Sequence, residues 1–318
     1  MGAMTPSRRP ELTVPPALVA SHTRYVGEAG RAWLDALPGL AESLLARWRL
    51  RPDGPATCGT VAWVLPVVRE DGVPAVLKVQ PVDEETAGEP LALRAWDGRG
   101  AVRLLDHDAA SGALLLERLD ARRSLGAVPD ALAALRTLSV LLARLVSVPA
   151  PPGLRRLADV AAPLPRRARR ARRRCTDPAD RRLLEHCAGA LRELLSEPGD
   201  RLLHWDLHYD NVLAPPPDRR REPWLAIDPK PLAGDPGFEL LPALHNRWED
   251  LVATGDVARA VRHRFDLMTE VLGLDRRRAV GWTLARVLQN LLWALHSPGA
   301  SPWAARDRVV ARALLARR

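Results

Sequence analysis

Asp206 and Asn211 stand five residues apart in Leu203-His204-Trp205-Asp206-Leu207-His208-Tyr209-Asp210-Asn211, and Asp228 follows seventeen positions later in Ala226-Ile227-Asp228-Pro229. These residue types suit transfer of a phosphoryl group to a hydroxyl. One carboxylate can accept the hydroxyl proton or orient its oxygen. An amide and a second carboxylate are hard oxygen donors of the kind Mg2+ takes. Lys78, in Ala75-Val76-Leu77-Lys78-Val79, adds a compact cation within an apolar run, suited to gripping nucleotide phosphates. The chain contains 47 Lys plus Arg, yet only Lys78 and Lys230 are lysines, which leaves 45 arginines. A composition that has almost eliminated lysine keeps it at two places, and both fall in these segments.

The same spacing serves in protein kinases, where H-R-D-x-x-x-x-N supplies a base and one metal ligand and a later Asp supplies the other. The flanking pattern predicts elements able to position such groups. Residues 28–50 read as helical, with Pro38-Gly39 predicted to break them into two pieces. Val61 to Val68 and Ala75 to Gln80 read as strands joined by a hairpin turn at Glu70-Asp71-Gly72. A helix runs through Leu91, Leu93, Ala95 and Trp96, and strands follow at 101–105 and 113–117. Helices are predicted at 129–148, 178–196, 237–254, 256–272, 276–296 and near 302–316, interrupted by the catalytic segments at 201–213 and 224–231. The expected fold class is therefore α+β, a two-lobed protein-kinase-like fold. A small mixed β-sheet N-lobe would bind nucleotide over residues 1–118. A larger, mainly helical C-lobe over 119–318 would carry the catalytic loop and acceptor site.

Length, charge and cysteine usage narrow the class. At 318 residues and 47% hydrophobic composition the chain can bury two substantial cores. No run of about 18 apolar residues suggests a membrane span. Met1-Gly2-Ala3-Met4 resembles a cloning remnant and is set aside. Three cysteines (Cys58, Cys175, Cys187) share no metal-ligand spacing and point to a reducing cytoplasm. The net charge is +9, and its densest source is the run Arg166–Arg174. That run has no interleaved aromatic residue for base stacking, so it is read as a solvated helix or linker and not as a nucleic-acid surface.

With these segments laid out, the chain resembles the aminoglycoside phosphotransferase family, and within it the streptomycin 6-phosphotransferase and hydroxyurea phosphotransferase subfamily of actinobacteria. The resemblance rests on Leu93 to Gly100, Val102 to Asp108, Val148 to Leu154, the 203–213 loop and Ile227 to Leu240. It implies that Asp206 is the catalytic base or hydroxyl orienter, that Asn211 and Asp228 hold Mg2+, and that Lys78 holds the phosphates of ATP, with GTP an open alternative donor. Glu89 is the implied partner of Lys78, with Glu85 the alternative. Glu117 to Leu119 would border the adenine. The wider family has Gly where this chain has Trp205.

The implied activity is inactivation of an antibiotic by O-phosphorylation, with streptomycin or a related aminocyclitol favoured and hydroxyurea or another small metabolite as the alternative. A polycationic acceptor needs carboxylates, and Asp210, Asp235, Glu239, Glu249 and Asp250 are candidates. Lys230 is expected to neutralise the transferring phosphate or to pair with Asp235. His204 is read as a support for the loop. Trp282, Asn290 and Trp293 would either wall an acceptor pocket or form a core stripe. The competing class, a non-catalytic nucleotide- or nucleic-acid-binding protein, would not need the complete Lys, Asp, Asn, Asp set. No membrane partner is expected, and the chain is expected to act as a monomer or weak dimer.

Overall fold

The computed structural model describes residues 12–217, 222–296 and 304–316. The remnant expected at residues 1–4 lies outside them. By packing, the chain divides into two units: residues up to Asp83 with Arg103–Arg118, and Glu84–Val102 with Leu119 onward. Residues 84–102, expected with the N-terminal lobe, pack with the second unit.

The first unit carries helices α1 (Pro16–Tyr25) and α2 (Glu28–Arg47) and strands β1 (Arg51–Pro52), β2 (Thr57–Cys58), β3 (Trp63–Val68), β4 (Pro74–Val79), β5 (Leu104–Asp108) and β6 (Ala113–Glu117). The strands form one antiparallel sheet in the order β1-β3-β4-β6-β5, with β2 on β3. Strand β3 alternates buried and half-buried residues, the period expected of a sheet with one covered face. The cover is α2, whose Leu34, Leu37, Ala41 and Leu44 pack with Trp63, Leu65, Val67, Leu77 and Val79. This explains why α2 runs unbroken through Pro38, against expectation. The apolar stripe continues across the proline. Burying three leucines, at roughly 1.5–3 kcal/mol each, outweighs the ~3 kcal/mol cost of an internal proline. The turn at Gly72 (φ 80°) joins β3 to β4 as the Glu70-Asp71-Gly72 signal predicts.

The second unit is mainly helical. It holds α3 (Glu89–Trp96), β7 (Asp120–Ser124), α4 (Ala131–Val146), α5 (Leu157–Ala161), α6 (Leu164–Arg174), α7 (Pro178–Leu194), β8 (Arg201–Leu203), β9 (Val212–Ala214), β10 (Leu225–Ala226), β11 (Leu232–Gly234), α8 (Leu240–His245), α9 (Trp248–Val252), α10 (Val257–Leu272), α11 (Arg276–His296) and α12 (Ala304–Leu315). Helix α11 packs on α6, α7, α8 and α12. The single helix predicted over 237–254 is instead a 3-10 turn (Pro236–Glu239) and two short helices. The break between them falls at Arg247, whose φ of 48° cannot continue a helix. The strand predicted from residue 101 begins only at Leu104, and Ala101 instead bridges Ala226. Among the described residues no helix is long and apolar enough to cross a membrane.

Candidate active site

Two small antiparallel pairings build the site. Strand β8 leads into the Asp206 loop, and β11 returns beside it with Leu232 opposite Leu203. The loop closes through the 3-10 turn Tyr209–Asn211 into β9, which pairs with β10. Ile227 N–H then donates to the Asn211 carbonyl at 2.9 Å, and Lys230 N–H to the His204 carbonyl at 3.0 Å. These two bonds join the Asp206–Asn211 and Asp228–Lys230 segments along their backbones. Residues seventeen apart in sequence thereby become neighbours.

The side chains complete the arrangement. His204 is fully buried. Its Nε2 lies 2.9 Å from the Ile227 carbonyl, so that nitrogen carries the proton, and Nδ1 accepts the Asp206 N–H at 3.4 Å. Its ring stacks beside Trp96, 6.1 Å between centroids. Asn211 Nδ2 donates to the Asp206 carbonyl at 2.9 Å, which leaves the amide oxygen as its remaining acceptor. Lys230 Nζ donates to Asp206 Oδ2 at 2.8 Å, an ion pair with both partners half-buried. This is the partner of Lys230, and not Asp235 as one expectation had it. Two residues adopt left-handed backbone without being glycine, Trp205 (φ 65°) and Asp228 (φ 57°). Such conformations cost about 1–3 kcal/mol each and persist where the surroundings hold them, as they often do at active sites.

The electrostatics follow from burial and pairing. Burial works against ionisation of Asp206, but the Lys230 ammonium, with His208 and Arg286, outweighs it and holds the carboxyl below its ordinary range. Burial also opposes charging Lys230, yet attraction to Asp206 and Asp228 raises it above its ordinary value. His204, desolvated, falls from 6.5 to about 4 and is neutral near pH 7. Glu239, desolvated, rises from 4.5 to about 7.

The donor set suits Mg2+. Asn211 and Asp228 offer an amide oxygen and a carboxylate from adjoining backbone positions. No group of three or more His, Cys, Asp or Glu side chains able to hold a metal occurs among the described residues. Two protein oxygens, with phosphate and water completing the shell, are the usual arrangement for Mg2+ in phosphoryl transfer.

The remaining expected residues are placed as follows. Lys78 is buried on β4 between Val64 and Leu114. Glu89 is buried at the first position of α3, ahead of Pro90, and Glu85 lies in the preceding turn, where its charge acts on Lys230 and Arg286. Glu117 Oε1 accepts the Arg103 N–H at 2.7 Å, and Leu119 is buried. Asp235 and Glu239, expected among acceptor carboxylates, are both buried. Asp235 caps the 3-10 turn through Gly237 N–H and binds Arg278 Nε at 2.6 Å. Glu239 Oε1 accepts the Trp205 N–H at 2.5 Å. Asp210 and Glu249 are exposed, with Asp210 reached by Asn246 Nδ2 at 3.4 Å. Asp250 is paired with Arg247 at 2.6 Å. Trp282 is core, edge-on to Phe238, Asn290 donates to Asp307, and Trp293 is exposed.

Sequence reasoning did not find Arg155 and Arg286, whose guanidinium carbons lie 4.4 and 4.6 Å from the centroid of the Trp205 ring. Two arginines among 45 carry no signal of their own in the sequence.

Known proteins resemble this chain in sequence and in fold. Residues 47–297 match the family model for aminoglycoside/hydroxyurea antibiotic resistance kinases. A streptomycin 6-kinase of Streptomyces glaucescens is 58% identical over 288 residues, covering 91% of this chain and 92% of its own. A hydroxyurea phosphotransferase of Kitasatospora aureofaciens is 56% identical over 306 residues, covering 96% and 86%. In fold, a choline/ethanolamine kinase family protein of Mesorhizobium loti superposes with a TM-score of 0.57 at 17% identity, over 91% of this chain and 94% of its own. On its motifs, its fold and these relatives, the chain belongs to the aminoglycoside/hydroxyurea antibiotic resistance kinase family.

Proposed function

We propose that this kinase uses ATP and Mg2+ to phosphorylate a hydroxyl of streptomycin or a closely related aminocyclitol and so inactivates it. The observation that carries the reading is the Asp206–Lys230 pair, 2.8 Å apart on a segment bonded through its backbone to Asn211 and Ile227-Asp228. Asp206, kept ionised, receives the acceptor hydroxyl and orients its oxygen, taking the proton as the bond to phosphorus forms. Lys230 lies where it neutralises charge on the transferred group. Asn211 and Asp228 supply the oxygens for Mg2+, which when bound with nucleotide offsets phosphate charge. Lys78 holds the nucleotide phosphates from its buried place on β4. Exposed Asp210 and Glu249 offer carboxylates to a cationic acceptor. Three cysteines with no metal-ligand spacing support action in the cytoplasm, and the protein is taken to act as a monomer or weak dimer.

Hydroxyurea is the second reading, favoured by the 56% identical relative. Incubation with ATP and each acceptor in turn, followed by mass spectrometry of the small molecule, tests the choice. A phosphoryl gain on streptomycin, with Asp210→Asn or Glu249→Gln raising the acceptor KM, is the expected result. Phosphorylation of hydroxyurea alone, indifferent to both changes, would transfer the assignment to the second reading.

A further inference from the structure

Trp205 immediately precedes Asp206 and is held through every polar group of its backbone and through its ring. Its N–H donates to Glu239 Oε1 at 2.5 Å, and its carbonyl accepts from Arg286 Nη2 at 3.3 Å. Its φ of 65° is a conformation that a bulky side chain rarely adopts. The side chain is only 3% exposed, and two guanidiniums lie over its ring. Arg155 comes from the segment before α5, where its carbonyl accepts the Ala233 N–H of β11 at 2.8 Å. Arg286 comes from α11 and also lies over Phe238, 5.4 Å from that centroid.

Other guanidiniums of this chain lie over a ring one at a time and also pair with a carboxylate, as Arg247 does over Tyr209 with Asp250 and Arg276 over Phe265 with Asp266. Trp205 receives two, of which Arg155 reaches Glu84 only at 4.0 Å. At Arg155 the Nε and Nη2 atoms, and at Arg286 the Nε atom, are buried with no hydrogen-bond acceptor among the described residues. The electron-rich face of the indole takes the place of that acceptor. A filler of space would need only an apolar side chain. A ring that receives two cations has its plane fixed, and with it the peptide that leads into Asp206.

We propose that Trp205, held by Arg155 and Arg286, is a positioning residue that sets the direction in which the Asp206 carboxylate leaves the backbone, and hence its contact with Lys230. The residue acts through the backbone and touches neither substrate. The proposal rests on Asp206 acting on the acceptor hydroxyl.

The test compares Trp205→Phe, Trp205→Leu, Arg286→Lys and Arg286→Met with Asp206→Asn, measuring kcat, both KM values and thermal midpoint. Misplacing a catalytic group by a fraction of an ångström should lower kcat by about 10- to 100-fold in Trp205→Leu and Arg286→Met. Both KM values should stay near wild type. Trp205→Phe should restore most of the loss, because a π face remains, and Arg286→Lys should restore part of it. If Trp205→Leu does not fold, Arg155→Met carries the same expectation at a side chain 22% exposed. Should the Leu and Met variants show a lower thermal midpoint but wild-type kcat per folded molecule, while Asp206→Asn is inactive, the ring serves stability alone and the proposal is overturned. Wild-type turnover in Asp206→Asn would instead remove the catalytic reading of Asp206, and the positioning role with it.

Discussion

Asp206 and Lys230 are best understood as one unit. The carboxylate has an internal counter-ion at 2.8 Å before any ligand arrives. Asp206→Asn keeps the shape and removes the charge, so turnover should fall by about 10² to 10⁴-fold while nucleotide binding, read by fluorescence titration, persists. Lys230→Met should act differently. Without the ammonium, burial of Asp206 is opposed only by weaker neighbours such as His208 and Arg286, and its pKa moves up. On the proposed role, in which Asp206 must be ionised to accept the hydroxyl proton, the acid limb of the kcat/KM profile should shift to higher pH in that variant. An unmoved limb would show that Asp206 does not govern it. At Lys78 the matching change is Lys78→Arg. A planar guanidinium cannot replace a point charge in a buried strand position, so the nucleotide KM should rise clearly.

Helix α2 shows what element-scale reasoning can and cannot see. Pro38 sits inside it, and a packed stripe on either side holds the helix together. Pro38→Ala restores a main-chain donor and relieves a ring clash. Up to about 3 kcal/mol becomes available, so the thermal midpoint should rise by several degrees with kcat unchanged. A fall would mean that the proline fits a bend the packing requires. Sequence periodicity identified β3, α4, α7, α10 and α11, because each is long enough for its buried face to repeat, and the apolar runs marked β4 and β6. It missed α1, α5 and β7, the last of which has little buried surface to mark it. The spacing of Asp206, Asn211 and Asp228 marks, already in sequence, the two segments that the backbone then joins. Glu239 was visible but assigned to the acceptor, since nothing in a sequence reveals that a carboxylate is turned inward onto a neighbouring N–H.

For the whole molecule, two buried groups give stability opposite slopes against pH. His204 is depressed from 6.5 to about 4, so its contribution is complete above pH 6.5 and is lost as pH falls toward 4. Glu239 is raised from 4.5 to about 7, so its contribution is complete below pH 4.5 and is lost as pH rises toward 7. Each amounts to roughly 3 kcal/mol. In the native chain they largely cancel over this window. Glu239→Gln removes one slope and keeps an oxygen for the Trp205 N–H. Its denaturant midpoint should therefore climb steeply between pH 4 and 6.5, where the native chain stays nearly flat. Equal slopes in the two proteins would refute the buried charge balance.

The scarcity of lysine has a consequence for chemical damage. Lys78 is 5% exposed and the Lys230 side chain 33%, and the 45 other cationic side chains are guanidiniums that acyl donors and cyanate scarcely touch. Apart from the α-amino group, the molecule offers such reagents almost no decoy amines. Acylation that many proteins absorb harmlessly on their surfaces would here have little besides the α-amino group and Lys230 to modify. The fraction of molecules carrying an adduct at Lys230, counted by peptide mass, should then equal the fraction inactivated.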